Sequence, residues 1–285
     1  MEFIIKTVPE VGEFLVPDDV VLSLPSGLTI DKKDWHFLVS IPWEDKYLEN
    51  IPEDFVDFFK FVLPYLNVRT INVHVAICLG YLDQLIAEFP EENINRRVVA
   101  LSLILHDIGW SKLSDQEIAN SLGVFGLKLT DVAMAPKKRH AIEGERLAKK
   151  ILGEGDDDGE FLFEPKLSVQ DKDLIFKSIR FHDKPEEVSG FDESIPNSER
   201  KMPIEVKLLV DLDHIWSFVH LDFWLDTIRK GIAPATYVQN LSKDLDLYFV
   251  TKPGKELAKK LLMERRVEVE ELVWRIKSDG EYSVI

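Results

Sequence analysis

Ionisable side chains recur inside apolar helical stretches of this 285-residue sequence. The segment 101–110, LSLILHDIGW, runs from five residues that suit an apolar helix directly into His106 and Asp107. Burying an imidazole or a carboxylate without a partner costs several kcal/mol, so another group must compensate this pair. Neighbouring residues on a helix point about 100° apart, so the pair can straddle one ion, or Asp107 can bridge two.

Helical spacing places more side chains of the same types on apolar faces. The positions are His74, His140, His182 and, within LLVDLDHI, Asp211 or Asp213. A lone histidine on an apolar face is usually a satisfied core residue, but five helices that each deliver one or two such groups favour a metal site. Imidazole with carboxylate suits Fe, Mn, Zn, Ni or Co, and the carboxylate oxygens extend the range to Mg. Gly109 is predicted to end the helix and let the backbone approach closely, and Gly144 to remove bulk in a similar way beside His140.

The elements that must position these groups are predicted to be helices, and the fold class is mainly α. Residues 1–52 contain short β-prone runs and are predicted to be an N-terminal extension of strands or extended segments. From about residue 53 the apolar spacing is helical, and we expect a helical metal-binding domain over 53–231. Residues 232–285 are predicted to add two or three helices packed on the same domain.

Composition excludes several classes of function. The formal net charge of −16 argues against a surface that coats nucleic acid and against an anionic membrane as partner. No uninterrupted apolar run reaches about 18 residues and no basic segment precedes an apolar one, so neither a membrane span nor a signal peptide is predicted. Cys78 is the single cysteine, which fits a reducing compartment, and we expect a cytoplasmic protein.

Three of these motifs together resemble the HD superfamily of metal-dependent phosphohydrolases. The motifs are His74, HDIG at 106–109 and the later aspartate in LLVDLDHI, which match an H…HD…D signature carried by a helical bundle. RHAIEGERLAKKIL and IRFHDKPE are similar to the subset with two extra histidines and a dinuclear site, which includes HD-GYP phosphodiesterases. The resemblance covers about 70–220 and implies an HD-type helical bundle. Asp183 stands where the HD-GYP signature has another histidine, so cyclic-di-GMP hydrolysis is not implied.

The resemblance also implies a role for each ligand-type residue. One divalent metal would be held by the set His74, His106, Asp107 and Asp213. Asp107 would bridge to a second metal held by His140 and His182. Asp211 is the competing choice for the late aspartate.

Charged residues close in sequence to these ligands are candidates for catalysis and substrate binding. Asp107, Lys112 and Asp183 are candidate catalytic groups, with Asp183 as a proton carrier for the leaving group or, alternatively, a member of a salt bridge. Arg139, Arg180 and Lys184 are candidate phosphate ligands. The alternative for every basic residue here, including the run 137–139, is a solvated helix end.

The function predicted from the sequence is a phosphohydrolase that cleaves a small phosphoester or nucleotide with a metal-activated hydroxide. Two alternatives remain open: an HD-fold di-iron oxygenase that uses the same ligand set, and a non-catalytic sensor or interaction protein whose metal only stabilises the bundle. A homodimer is compatible with the sequence.

Overall fold

Helices form most of the molecule, which confirms the mainly α fold class. The computed structural model describes residues 1–122, 131–189 and 202–279. The α-helices are, in chain order, α1 (Val56–Leu66), α2 (Ile71–Leu79), α3 (Leu82–Ala87), α4 (Arg96–Leu105), α5 (Asp115–Leu122), α6 (Asp131–Leu152), α7 (Val169–Phe181), α8 (Pro185–Val188), α9 (Ile204–His214), α10 (His220–Lys230), α11 (Pro234–Tyr248) and α12 (Lys252–Asp279). Over the described ranges, no helix is both long enough and apolar enough to cross a membrane.

Helix α4 lies at the centre of the bundle. Every residue from Val98 to Leu105 on this helix is fully buried, because apolar side chains cover all of its faces. The side chain of Asn95 caps its first turn by accepting a hydrogen bond from the Val98 amide at 3.3 Å. Helices α2, α7 and α9 pack around it. Its C-terminal end, where His106 follows Leu105, therefore opens into the interior of the bundle.

The N-terminal extension packs on the C-terminal helices. Strands β1 (Phe3–Val8) and β2 (Gly12–Pro17) form an antiparallel hairpin, as the β-prone runs predict. The Phe3 ring packs edge-on against Trp224 of α10, with ring centroids 5.5 Å apart. Hairpin residues and bundle residues share one hydrophobic core.

Two stretches divide differently from the sequence prediction. The apolar pattern over 71–89 predicts one helix, but it is broken at Gly80 and Tyr81 into α2 and α3. The tail beyond 252 predicts two helices, but α12 is continuous through Asp279. Val269 is buried within α12, so packing against the core offsets the weak helix propensity of the valines along this segment.

Candidate metal centre

Five helices deliver the ligand-type side chains to one place. His74 lies within α2, and His140 lies within α6. The other groups stand at helix ends, His106 and Asp107 after α4, His182 after α7 and Asp213 in the last turn of α9. Because a helix C-terminus carries a partial negative charge, three helix ends here favour a cation.

One triad consists of His74, His106 and Asp213, whose ligand atoms all lie within 4.8 Å of one another. The Asp213 Oδ1 atom is 3.2 Å from His74 Nε2 and 3.1 Å from His106 Nε2. The His74 Nε2 atom is buried and is not oriented to make a hydrogen bond. Buried polar atoms normally have a partner, so this nitrogen is available to a cation.

A second triad consists of Asp107, His140 and His182. The two histidine Nε2 atoms face each other at 3.0 Å, and Asp107 Oδ1 lies 3.3 Å from the His140 nitrogen. The other carboxylate oxygen, Asp107 Oδ2, is 3.5 Å from His106 Nε2 and 3.7 Å from His74 Nδ1. The Asp107 carboxylate thus lies between the triads, with one oxygen toward each.

Asp183 lies at the edge of this cluster. Its ligand atom forms a third group with His182 and Asp213 within 4.8 Å. Its Oδ2 atom is 3.6 Å from His140 Nε2, and 27% of its side chain is exposed against 13% for Asp107. Asp183 therefore marks the more open side of the centre.

Backbone carbonyls fix the orientation of two of the imidazoles. The Nδ1 atoms of His106 and His182 lie 2.7 and 2.6 Å from the carbonyl oxygens of Leu103 and Ile179, one turn back along each helix. A protonated Nδ1 donates to such a carbonyl, which leaves the Nε2 lone pair directed into the cluster.

Tryptophan rings hold the other two imidazoles. His74 stacks on Trp216, with centroids 5.1 Å apart, and His140 stacks on Trp110, with centroids 4.2 Å apart. The Trp110 Nε1–H also donates a hydrogen bond to Asp107 Oδ1 at 2.9 Å. One indole thus positions two members of the second triad.

The electrostatics of the cluster call for positive charge. Burial alone would raise the pKa of Asp107 and Asp213, but the neighbouring histidines outweigh it and hold the pKa of both carboxyls well below their usual range. Burial opposes the protonation of His182, yet the carboxylates of Asp183, Asp107 and Asp213 raise its pKa to about 10. Buried carboxylates thus attract either protons onto the imidazoles or a metal cation.

The residues of both triads fit divalent metal ions. Imidazole nitrogens and carboxylate oxygens converge in a buried place, the ligand atom His74 Nε2 has no hydrogen-bond partner, and the charge of the acids needs compensation. This donor set suits Fe, Mn, Co, Ni or Zn. His74, His106, Asp107, His140, His182 and Asp213, the ligand set predicted from the sequence, are the residues that the structure brings together.

Asp211 has a different position from Asp213. Its carboxylate accepts hydrogen bonds from the Val250 and Thr251 amides at 2.7 and 3.2 Å and from the Thr251 hydroxyl. A Cβ atom on Gly254 would lie 2.3 Å from Asp211 Oδ2, so glycine is required beside it. Asp211 therefore joins α9 to the start of α12, and Asp213 is the aspartate in the cluster.

The basic residues predicted to bind phosphate or act in catalysis are engaged elsewhere. Arg139 pairs with Glu117. Arg180 Nε donates to Glu145 at 2.9 Å, and Lys184 lies 3.0 Å from Glu187. Lys112 lies over the Tyr65 ring at 5.9 Å. Within the described residues, none of these four side chains has a hydrogen bond or ion pair with a triad residue, and their roles remain predictions.

Sequence reasoning missed two residues beside the centre, Trp110 and Arg69. Trp110 directly follows the HDIG motif, and its position three residues after Asp107 in a 3₁₀ turn was the available signal. The Arg69 guanidinium lies 4.3 Å from the centroid of the Trp110 ring, a contact between distant segments that no spacing rule reveals.

Comparisons with known proteins identify the family. Neither a curated protein nor a solved structure matches this chain. The sequence model of the HD domain matches residues 72–215, which include every member of both triads. Because this match spans half of the sequence and the site has the ligand set that the resemblance implies, the chain belongs to the HD-domain family.

Proposed function

We propose that this protein is a metal-dependent phosphohydrolase that cleaves a small phosphoester or nucleotide. The observation that supports the proposal is the carboxylate of Asp107 between two histidine-containing triads. Membership of the HD-domain family, a superfamily of mainly metal-dependent hydrolases, supports the same class of chemistry.

The residues of the centre would hold two divalent ions and keep the pocket cationic. Bound divalent ions polarise a phosphoryl group and supply a water nucleophile at neutral pH. Their charge exceeds that of Asp107, Asp183 and Asp213 together. The protein's net charge of −16 does not cancel this, since surface charges beyond a Debye length of about 8 Å are largely screened.

Asp183 is suited to move a proton on the open side of the centre. Burial would raise its pKa, but Lys137, His182 and His140 outweigh it and lower the pKa below the usual range. Asp183 is therefore ionised at neutral pH. Its Oδ2 atom would accept the proton of the attacking water and return it to the oxygen of the leaving group.

Metal content and hydrolysis of a generic aryl phosphate test this function together. His106→Ala should sharply reduce bound metal and abolish turnover, because the imidazole is fully buried and directed at Asp213. His140→Ala should lose about one ion per chain if the centre is dinuclear. His36→Ala is the matched control, since the His36 ring contacts the nearby Lys33 carbonyl and the adjacent Phe37 ring and lies in the N-terminal extension, outside both triads.

Three results would contradict this proposal or reassign the protein. Wild type that holds no transition metal, and gains no turnover on addition of Mn, Fe, Co or Ni, is not a phosphohydrolase of this kind. An iron-loaded sample that consumes O₂ with a polyol, and leaves phosphoesters intact, is an oxygenase. If the protein holds its full complement of metal and shows neither phosphoester hydrolysis nor O₂ consumption, the metal has a structural role.

A further inference from the structure

Two basic side chains beside the metal centre lack a protein partner among the described residues. The side chain of Arg69 makes no hydrogen bond and no ion pair there, and its Nε atom is buried without a partner. Lys137 likewise has no ion pair within 4.0 Å in the part of the chain that the structure describes. This contrasts with Arg139, Arg180 and Lys184, each of which is paired with a glutamate.

Arg69 is placed beside the second triad by a stack of three groups. His140 lies 4.2 Å from the Trp110 ring and nearly parallel to it, and the Arg69 guanidinium lies 4.3 Å from the same ring. Since the imidazole occupies one face of the indole, the guanidinium occupies the other. The indole edge donates to Asp107 Oδ1, so the cation stands one ring away from the triad. A guanidinium stacked on an aromatic face keeps its N–H groups free for an oxyanion.

The backbone at Arg69 is held in a costly conformation. Arg69 and Thr70 both have left-handed dihedrals, with φ of 54° and 72°, a conformation that is unfavourable for residues other than glycine. The buried guanidinium of Arg229 donates to the Arg69 carbonyl at 3.2 Å and to the Thr70 hydroxyl at 3.3 Å. Strain that the fold maintains in this way is typical of functional sites.

Lys137 approaches the centre from α6. It precedes His140 by three residues, so both side chains lie on the same face of this helix. The Asp183 Oδ2 atom lies 3.6 Å from His140 Nε2, so the more open edge of the cluster also adjoins this histidine. Lys137 therefore approaches the second triad beside His140, and Arg69 approaches it through Trp110, which stacks on the same imidazole.

We propose that Arg69 and Lys137 form an anion-binding subsite that holds the phosphate of a dianionic phosphomonoester beside the metal centre. This inference rests on the proposed function and narrows it to a substrate class. A monoester carries one more negative charge on its phosphate than a diester, so a pocket with two cations beyond the metals favours the monoester. The guanidinium would make a two-pronged contact with phosphoryl oxygens, and the ammonium would add a point charge.

The test compares Arg69→Gln and Lys137→Gln with two matched controls, Arg146→Gln and Lys138→Gln, on protein reconstituted with Mn²⁺. Arg146 pairs with Glu143 on the exposed side of α6, and Lys138 is exposed. Calorimetric titration with inorganic phosphate should show affinity reduced at least about tenfold in each test variant and unchanged in the controls.

Activity on 4-nitrophenyl phosphate and on bis(4-nitrophenyl) phosphate tests the substrate class. We expect kcat/KM for the monoester to fall at least about tenfold in each test variant, mainly through KM, while the diester loses much less. Equal losses on both esters overturn the assignment to a monoester. If both test variants bind inorganic phosphate as tightly as wild type does, the proposed subsite is wrong.

Additional measurements distinguish three outcomes: a variant that does not fold, a protein without the proposed function, and a protein without the subsite. If Arg69→Gln unfolds, Arg69→Lys keeps the charge but lacks the planar fork, and it should bind phosphate with intermediate affinity. Unchanged affinity in Arg69→Lys and Lys137→Gln overturns the subsite. If wild type hydrolyses neither ester, the proposed function fails, and phosphate titration alone decides whether these cations bind an anion.

Discussion

Asp211 and Asp213 illustrate how two identical residues on one helix acquire different roles. Two positions on a helix are separated by about 200° of rotation, so their carboxylates point to opposite sides of α9. Asp213 meets His74 and His106, whereas Asp211 accepts hydrogen bonds at the start of α12. Periodicity alone could not choose between them, since both positions neighbour buried residues; the resemblance to the HD superfamily pointed to Asp213.

Separate asparagine variants distinguish the two roles. Asp213→Asn should lose about one metal ion per chain and retain the fold. Burial raises the pKa of Asp211 to about 7, and its oxygens accept three hydrogen bonds, so Asp211→Asn misplaces one donor against a backbone amide. We expect its free energy of unfolding to fall by roughly 1–3 kcal/mol with metal content unchanged. Urea unfolding and elemental analysis check both variants. If Asp211→Asn loses metal and Asp213→Asn does not, Asp213 is not the metal ligand.

The four histidines could be predicted at this scale because helical spacing places each one on an apolar face. Arg69 and Trp110 could not, because their importance arises from a stack between residues far apart in sequence. Arg139 and Arg180, which lie near ligands in sequence, each pair with a glutamate, and their predicted role in phosphate binding is untested.

At the scale of elements, the crossing of the HDIG turn over α6 sets the distance between the ligands. A Cβ atom on Gly109 would lie 1.9 Å from the His140 carbonyl oxygen and 2.5 Å from the Gly144 nitrogen. The sequence predicted that Gly109 and Gly144 allow close approach, and the structure confirms it. The contact itself joins two segments whose pairing has no signal in either one.

Alanine at these glycines should separate the two elements by different amounts. Gly109→Ala requires α6 to move away from Asp107, and we expect a loss of roughly 1–3 kcal/mol of stability together with weaker metal binding at the second triad. A Cβ atom on Gly144 would lie 3.2 Å from the His106 carbonyl oxygen, which a small shift accommodates. Thermal unfolding and metal titration should therefore rank Gly144→Ala between wild type and Gly109→Ala; the reverse order would contradict this packing argument.

At the scale of the whole molecule, the N-terminal segment meets the last described helix, α12. The N-terminal ammonium lies 3.0 Å from Glu271 of α12, and the His220 ring lies 3.0 Å from both Asp19 and Glu268. The sequence predicted the strand character of the extension but not where it packs, because the contacting residues lie at opposite ends of the chain. The helices were easier to predict, since their caps and apolar spacing are local.

Titration of His220 should make this packing depend on pH. Burial opposes its protonation, but Glu268 and Asp19 outweigh it and raise its pKa above the usual range. The stabilisation is therefore complete below the unfolded pKa of about 6.5 and is lost as the pH rises through the higher folded value.

His220→Gln is the variant that measures this effect. It should lower the free energy of unfolding by roughly 1 kcal/mol near pH 6 and by clearly less in alkaline solution. Chemical denaturation at several pH values checks it, with His36→Gln as the control. If the free energy of unfolding differs between wild type and His220→Gln by the same amount at every pH, protonated His220 does not stabilise the fold through Glu268 and Asp19.

The order of the ligands along the chain has a consequence for biosynthesis. The triad of Asp107, His140 and His182 is complete before Asp213 has been translated, whereas the triad of His74 and His106 needs that last aspartate. Chains emerge from the ribosome with the N-terminus first, so a nascent polypeptide would contain all three residues of one triad while the other triad still lacks its aspartate. Loading of the two positions would then be sequential, with the pair His140 and His182 first.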